Sequence, residues 1–360
     1  MVKRMPVSGS KNRVKKSPKI LKDPIKEFAE SIKKDGIVEV LSLSDDDCLA
    51  HVKTHISTQS VTLDKILNGK GFPTGRVTEI YGPQHIGKST LLDHAFAQVQ
   101  SMDGVGILFD TETARDIKYT SSIGVDATKL QLIEFTKDEL HIENVMNRLY
   151  ATVEWWATNE PNTPVVIGWD ALGGTSTKDA LEKRLMGNEK MAGAAKILRT
   201  AARQLPSKLG NTKIAVIIIN HTYDTIGGNF TMKQTYGGAG VRHLASIRLG
   251  LSHKSWITQG SDDKKKTTGR FVEANLVKNR LGTPFVKTKF AVIPGIGIDN
   301  TMTLFEVLKD IGYIVVRGSW GAVNIDGDVI KFQGMGGFVA KCRDNPEIFE
   351  KLVLAYNSMV

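Results

Sequence analysis

The chain has 360 residues, 41% of them hydrophobic, and a formal charge of +10. That suffices for one sizeable core with smaller satellites, and no apolar run reaches the roughly 20 residues of a membrane span, so a soluble protein is expected. Two cysteines, Cys48 and Cys342, lie far apart without metal-like spacing, which argues for reduced intracellular thiols over a disulfide scaffold.

Residues 1–36 hold eleven Lys/Arg against four acids, a net +7. Such an arm either contacts a polyanion or is a solvated tail. No apolar stretch follows Lys3 and Arg4, which excludes a secretory signal, and lysine outnumbers arginine, which disfavours a transit peptide. Ile20, Leu21, Ile25, Phe28, Ala29 and Ile32 recur at helical spacing up to Gly36, and strand-like Ile37 to Leu43 follows. The apolar run Val77 to Tyr81 then enters Gly82-Pro83-Gln84-His85-Ile86-Gly87-Lys88-Ser89-Thr90, and helix-like Leu91 to Gln100 comes next. A strand, a glycine loop of this spacing and a helix form a P-loop: backbone N–H groups turn inward around phosphate oxygens, Lys88 reaches the terminal phosphates and Ser89 offers its hydroxyl to Mg²⁺. A bound nucleoside triphosphate is therefore expected.

Strands are predicted at Val105 to Asp110, Leu130 to Phe135, Val165 to Trp169, Ile214 to Asn220 and Ser246 to Ser252, with helices at Ile142 to Trp156 and Ala192 to Leu209. Continuous Val/Ile runs alternating with helices predict an α/β fold around a mostly parallel, twisted sheet buried on both faces. Two strands end in acids where ligands gather in such sheets. Asp170 is the expected metal-side carboxylate, acting through water. Glu112 is the expected base for the attacking water, with Asp110 as a structural neighbour. Each could instead be a strand-end carboxylate capping a turn. Further on, Lys254 to Thr268 reads as a hairpin tip whose Lys264 to Lys266 is either a solvated turn or a nucleic-acid contact. A Gly-rich bend spans Ile293 to Asp299, and Thr303 to Val360 reads as helix, short strands, helix.

Taken together, Ile56 to Asp64, Gly75 to Pro83, the P-loop, Asp110 to Tyr119, Gly124-Val-Asp126, Asn220-His221, Tyr236-Gly-Gly238, Ala245 to Leu249 and Val277 to Phe285 resemble the bacterial RecA recombinases in order and spacing. The likeness spans about residues 50–350, and the many differing intermediate positions suggest a divergent member, phage origin included among the options. It implies four segments: a basic arm at 1–19, a polymerisation element at 20–50, a RecA-like ATPase core with DNA-binding loops at 51–300 and a small C-terminal α+β domain at 301–360.

The resemblance also implies roles. Glu112 matches the catalytic glutamate, and Asp116 and Tyr119 match residues that hold the adenine. Lys278 and Arg280 match a basic pair that reaches the ATP phosphates of the neighbouring subunit; arginine in the second place keeps the charge and adds a forked geometry. His221 occupies the place of a glutamine that senses the γ-phosphate and signals to a DNA loop. With Lys88 and Glu112 it completes the expected catalytic set.

Two loops are expected to face DNA. The first, Leu181 to Met191, carries Lys183, Arg184 and Lys190 and leads to Lys196, Arg199 and Arg203. The second, Thr222 to Tyr236, carries Phe230 and Met232 and reads as a loop that orders on binding, with an aromatic able to stack on bases. Tyr223 and Thr225 stand where the family has basic residues, which reduces the expected phosphate contacts. The region Thr303 to Lys351 matches the family's duplex-gathering domain, and the sequence ends at Val360 without an acidic tail, which predicts less restraint on DNA entry. The implied activity is a Mg²⁺- and DNA-dependent ATPase that forms helical homo-oligomeric filaments on single-stranded DNA and exchanges strands with homologous duplex. Its expected setting is the cytoplasm at the nucleoid, with a single-strand-binding protein or loader as further partners. A ring-forming helicase motor and a nucleotide-binding mediator are the alternatives.

Overall fold

Uninterrupted runs of Val, Ile and Leu build the strands at the centre of the molecule. A computed structural model describes residues 48–113, 115–182, 191–227, 230–259 and 265–359. The basic arm, the expected elements within Ile20 to Leu43, and Lys183, Arg184 and Lys190 lie outside these residues. In chain order, β1 (His55–Ile56), α1 (Val61–Ile66) and β2 (Phe72–Pro73) precede β3 (Arg76–Gly82) and α2 (Lys88–Ser101). β4 (Val105–Asp110), α3 (Ile117–Ser122), β5 (Leu130–Ile133), α4 (Ile142–Asn159) and β6 (Val165–Asp170) follow, then α5 (Lys178–Glu182) and α6 (Met191–Leu209). Next come β7 (Ile214–Gly227), β8 (Phe230–Thr235), α7 (Gly238–Leu244), β9 (Ile247–Gln259), β10 (Lys266–Asn279), β11 (Val286–Ile293) and β12 (Gly297–Asp299). The chain closes with α8 (Asn300–Asp310), β13 (Ile314–Arg317), β14 (Trp320–Ile325), β15 (Asp328–Gln333), α9 (Gly334–Asp344) and α10 (Pro346–Met359).

The main sheet runs β12-β11-β10-β9-β3-β7-β6-β4-β5, with β8 paired to β7. Every neighbour pair from β9 to β5 is parallel, and β9 through β12 form an antiparallel extension. The parallel part is sealed on both faces, as its apolar strands require. α2 covers one face through Leu91, Leu92 and Phe96; α4 and α6 cover the other through Met146, Leu149, Leu198 and Leu205. Phe96 lies so close to the strands that a Cβ on Gly106 would come within 2.8 Å of its ring, as would one on Gly168. Glycine at these two positions therefore sets how near the P-loop helix sits to the sheet.

The same helix is tied to β12 by His94. Its Nε2 accepts the Ile298 N–H (2.8 Å), so the proton sits on Nδ1, which donates to Gln59 Oε1 at 2.6 Å. Burial pulls this imidazole down to about 4, which keeps it neutral.

The C-terminal elements enclose a core of their own. Phe305, Phe332 and Phe338 meet with ring centroids 5.2–6.1 Å apart beneath the antiparallel sheet β13-β14-β15. Full burial of each such ring contributes roughly 2–3 kcal/mol.

Two expectations require correction. β9 runs to Gln259 and β10 begins at Lys266, so the predicted tip at Lys254 to Thr268 is mostly strand. Thr222 to Tyr236 is likewise no open loop: β7 continues to Gly227 and pairs antiparallel with β8 from Thr222↔Thr235 to Gly227↔Phe230. The β-branched residues in Thr222 to Ile226 and Thr231 to Thr235 favour strand, and that preference prevails over the glycine and asparagine between them.

Candidate active site

Because β3, β7, β6 and β4 are adjacent and parallel, their carboxyl ends meet along one edge. Gly82 ends β3 directly opposite His221 of β7, and Asp170 ends β6 directly opposite Asp110 of β4. Residues far apart in sequence thus converge where open α/β sheets bind ligands.

The loop between Gly82 and Lys88 keeps Pro83, Gln84 and His85 exposed and buries Ile86. Gly87 caps α2 at φ 105°, a conformation that L side chains rarely adopt. Lys88 is buried; its ammonium donates to the carbonyls of Gly82 (3.1 Å) and Pro83 (2.7 Å), which leaves one of its three donors. Burial lowers its pKa, opposed by the charges of Asp170 and Glu112.

Beside the loop lies a cavity of about 320 Å³ lined by Ser89, Asp93, Asp110, Glu112, Arg115, Asp116, Tyr119, Thr120 and Asp170. Asp170 is buried, which raises its pKa; Arg115 and a hydrogen bond from the Ser89 hydroxyl oppose that rise. Ser89 and Asp170, the sequence-predicted metal-side groups, both line this cavity. Among the described residues no three His, Cys, Asp or Glu side chains are grouped to hold a metal. A hydroxyl and one carboxylate suit Mg²⁺ that keeps most of its waters and is bound chiefly by substrate phosphates. Asp110 lines the cavity and its Oδ1 accepts the N–H groups of Glu112 (3.1 Å) and Thr113 (2.8 Å).

Glu112 Oε1 and His221 Nε2 are 2.7 Å apart. A carboxylate only accepts, so Nε2 carries the proton. The hydrogen bond from His221 is the main cause lowering the Glu112 pKa, and His221 and Lys88 charges add to it against burial. His221 Nδ1 is buried with no hydrogen-bond partner among the described residues. Behind this pair, the His221 N–H donates to Asn220 Oδ1 (2.9 Å), and Asn220 Nδ2 donates to Glu79 Oε1 and the Tyr236 carbonyl, both at 2.9 Å. Glu79 is fully buried and paired with Arg248, whose guanidinium stacks 4.8 Å from the Tyr81 ring centroid. A chain of hydrogen bonds thus runs from the site's carboxylate to both ends of the β7–β8 hairpin.

The remaining predicted residues are distributed unevenly. Tyr119 packs at the cavity wall, its hydroxyl 2.9 Å from Thr90 Oγ1. Asp116 lines the same cavity but spends one oxygen capping α3 through the Lys118 N–H (2.7 Å). Lys278 and Arg280 do not line it. Lys278 donates to the carbonyls of Arg242 and Ala245, each at 2.6 Å, and burial with the Arg280 and Arg248 charges pulls it down to about 8. Lys196, Arg199 and Arg203 are exposed on α6 at i, i+3 and i+7, forming one cationic face opposite buried Ala194, Leu198, Ala201 and Leu205. Phe230 and Met232 lie on β8, in register with Gly227 and Thr225. Asp93 and Arg115 were not anticipated: Arg115 bridges Asp93 of α2 and Asp170, with Nη2 3.1 Å from Asp170 Oδ2.

Comparison with known proteins agrees with this geometry. Residues 19–299 match the RecA N-terminal domain. The chain is 30% identical over 308 residues to protein RecA of Bacteroides thetaiotaomicron, covering 85% of this chain and 88% of that one. It is 32% identical to protein RecA of Desulforapulum autotrophicum (82% and 81% covered) and 30% identical to the chromosomal protein RecA of Lactococcus lactis subsp. lactis (82% and 73%). With a family match over most of its length, a P-loop at the carboxyl edge of the sheet and two adjacent strands ending in acids beside it, this chain belongs to the RecA family.

Proposed function

We propose that this RecA-family recombinase is a DNA-dependent ATPase that binds ATP with Mg²⁺, polymerises on single-stranded DNA and exchanges strands with homologous duplex. The observation that carries the reading is the 2.7 Å contact between Glu112 and His221, because His221 opens the hairpin that is to meet DNA. Backbone N–H groups of the Gly82 to Thr90 loop cradle phosphate. Lys88 balances the negative charge of the terminal phosphates, and Ser89 with Asp170 faces the Mg²⁺ that, when bound, neutralises charge on those phosphates.

Glu112, kept anionic, orients and deprotonates the attacking water. His221 holds Glu112 in place, and any movement of its ring is passed through Asn220 to the hairpin. Asp116 and Tyr119 bound the adenine side of the cavity. Lys278 and Arg280, which do not line their own chain's cavity, reach the ATP phosphates of a neighbouring subunit in this reading. The cationic face of Lys196, Arg199 and Arg203 meets the phosphate backbone, as do Lys183, Arg184 and Lys190 in this reading, and Phe230 and Met232 meet bases. ATP then acts as a clamp: it favours the DNA-bound filament, and hydrolysis releases it.

Electron microscopy with single-stranded DNA and a slowly hydrolysed ATP analogue tests the assembly. Helical filaments that fail to form without DNA or nucleotide are expected; closed rings, or isolated subunits under all conditions, would favour a motor or a mediator.

A further inference from the structure

Among the described residues, Arg115 is the only basic one lining the nucleotide cavity, beside five carboxylates. One arm of its guanidinium holds Asp93 and the other reaches Asp170 Oδ2 at 3.1 Å. Its Nε has no hydrogen-bond partner among the described residues, and its guanidinium carbon lies 5.7 Å from the Phe96 ring centroid. Asp93 itself is 2% exposed on the inner side of α2, where Leu91, Leu92, Ala95 and Phe96 are all buried and apolar. Burial is the main cause that pushes its carboxyl up to about 6, against the pull of Arg115. A buried carboxylate at such a position is costly, and a buried ion pair seldom adds stability over apolar packing. The pair has a different use: it anchors a fork on the P-loop helix and extends it to the metal-side carboxylate.

We propose that Arg115, anchored by Asp93, is a positioning residue that holds Asp170 and competes with Mg²⁺ and its waters for Oδ2, thereby setting how much free Mg²⁺ the site needs to bind nucleotide. The inference rests on the nucleotide reading above. An oxygen that accepts a charge-assisted hydrogen bond has fewer lone pairs for a hydrated cation, and the adjacent guanidinium charge opposes a divalent ion.

Binding of a fluorescent ATP analogue is to be followed against Mg²⁺ concentration for the wild type, Arg115→Lys and the double variant Asp93→Asn/Arg115→Gln. The double variant removes both charges of the Asp93–Arg115 pair together, so Asp93 is not left as an unpaired buried carboxylate. Its Mg²⁺ midpoint is expected to fall about tenfold, the scale of one charge-assisted hydrogen bond, while affinity at saturating Mg²⁺ stays within about threefold. Arg115→Lys keeps the charge but cannot bridge two carboxylates, and its midpoint is expected to fall about threefold. An unchanged or higher midpoint in both variants, including one accompanied by a lower melting temperature, would reduce Arg115 to a packing role and overturn the inference alone. Absence of Mg²⁺-dependent binding in the wild type would overturn the nucleotide reading together with it.

Discussion

Glu112→Gln is expected to lower ATP turnover by about 10²–10⁴-fold, the range for loss of a positioned general base, and to leave nucleotide binding and DNA-bound filaments intact. Glutamine has the same shape, and its carbonyl oxygen can still accept from His221 Nε2, so the 2.7 Å contact survives while the basicity does not. Single-turnover hydrolysis alongside equilibrium binding of the nucleotide separates the two effects. Turnover within a few-fold of wild type would remove Glu112 from the chemistry and return it to the role of a turn carboxylate.

The second large effect is on stability. Glu79 is fully buried in β3 and Arg248 is 8% exposed in β9; they are paired across adjacent strands. Arg248→Met would leave the Glu79 carboxylate with Asn220 Nδ2 as its one side-chain donor among the described residues. Breaking a buried pair from one side costs about 3–5 kcal/mol, whereas replacing both partners with apolar residues is often neutral. Denaturant unfolding is therefore expected to show that loss in Arg248→Met and recovery of most of it in Glu79→Met/Arg248→Met. A single variant within about 1 kcal/mol of wild type would mean that water reaches Glu79 and that the pair behaves as an exposed one. The same carboxylate fixes Asn220, so the single variant also loosens the link between His221 and the hairpin.

How far these features could be read in the sequence depends on how local they are. The P-loop, the apolar strands β4 and β6 and their terminal acids were legible because each is a contiguous run whose side chains need no distant partner to declare their role. Asp93 gives one signal, an acid whose neighbours on the same helix face, Ser89, Thr90, Phe96 and Ala97, carry no charge. Its partner Arg115 lies 22 residues away across a strand and a turn, and no periodicity connects them. Glu79 and Arg248 are separated by 169 positions and meet only because β3 and β9 become neighbours in the sheet. The hairpin at Thr222 to Thr235 is obscured for another reason: the glycines and asparagine in its middle read as loop, although the β-branched residues around them carry the strand signal. The roles proposed for Lys278, Arg280 and the α6 cations involve a second chain or DNA, which a single chain's sequence and fold supply only as a surface.

The most direct test of the account is the rate of ATP hydrolysis with and without single-stranded DNA, with Lys88→Ala as the site control. Coupling between nucleotide and DNA through Glu112, His221 and the hairpin predicts stimulation of at least about tenfold, within the usual span of inter-site coupling, and its loss in Lys88→Ala. Equal turnover in the presence and absence of DNA would contradict the account.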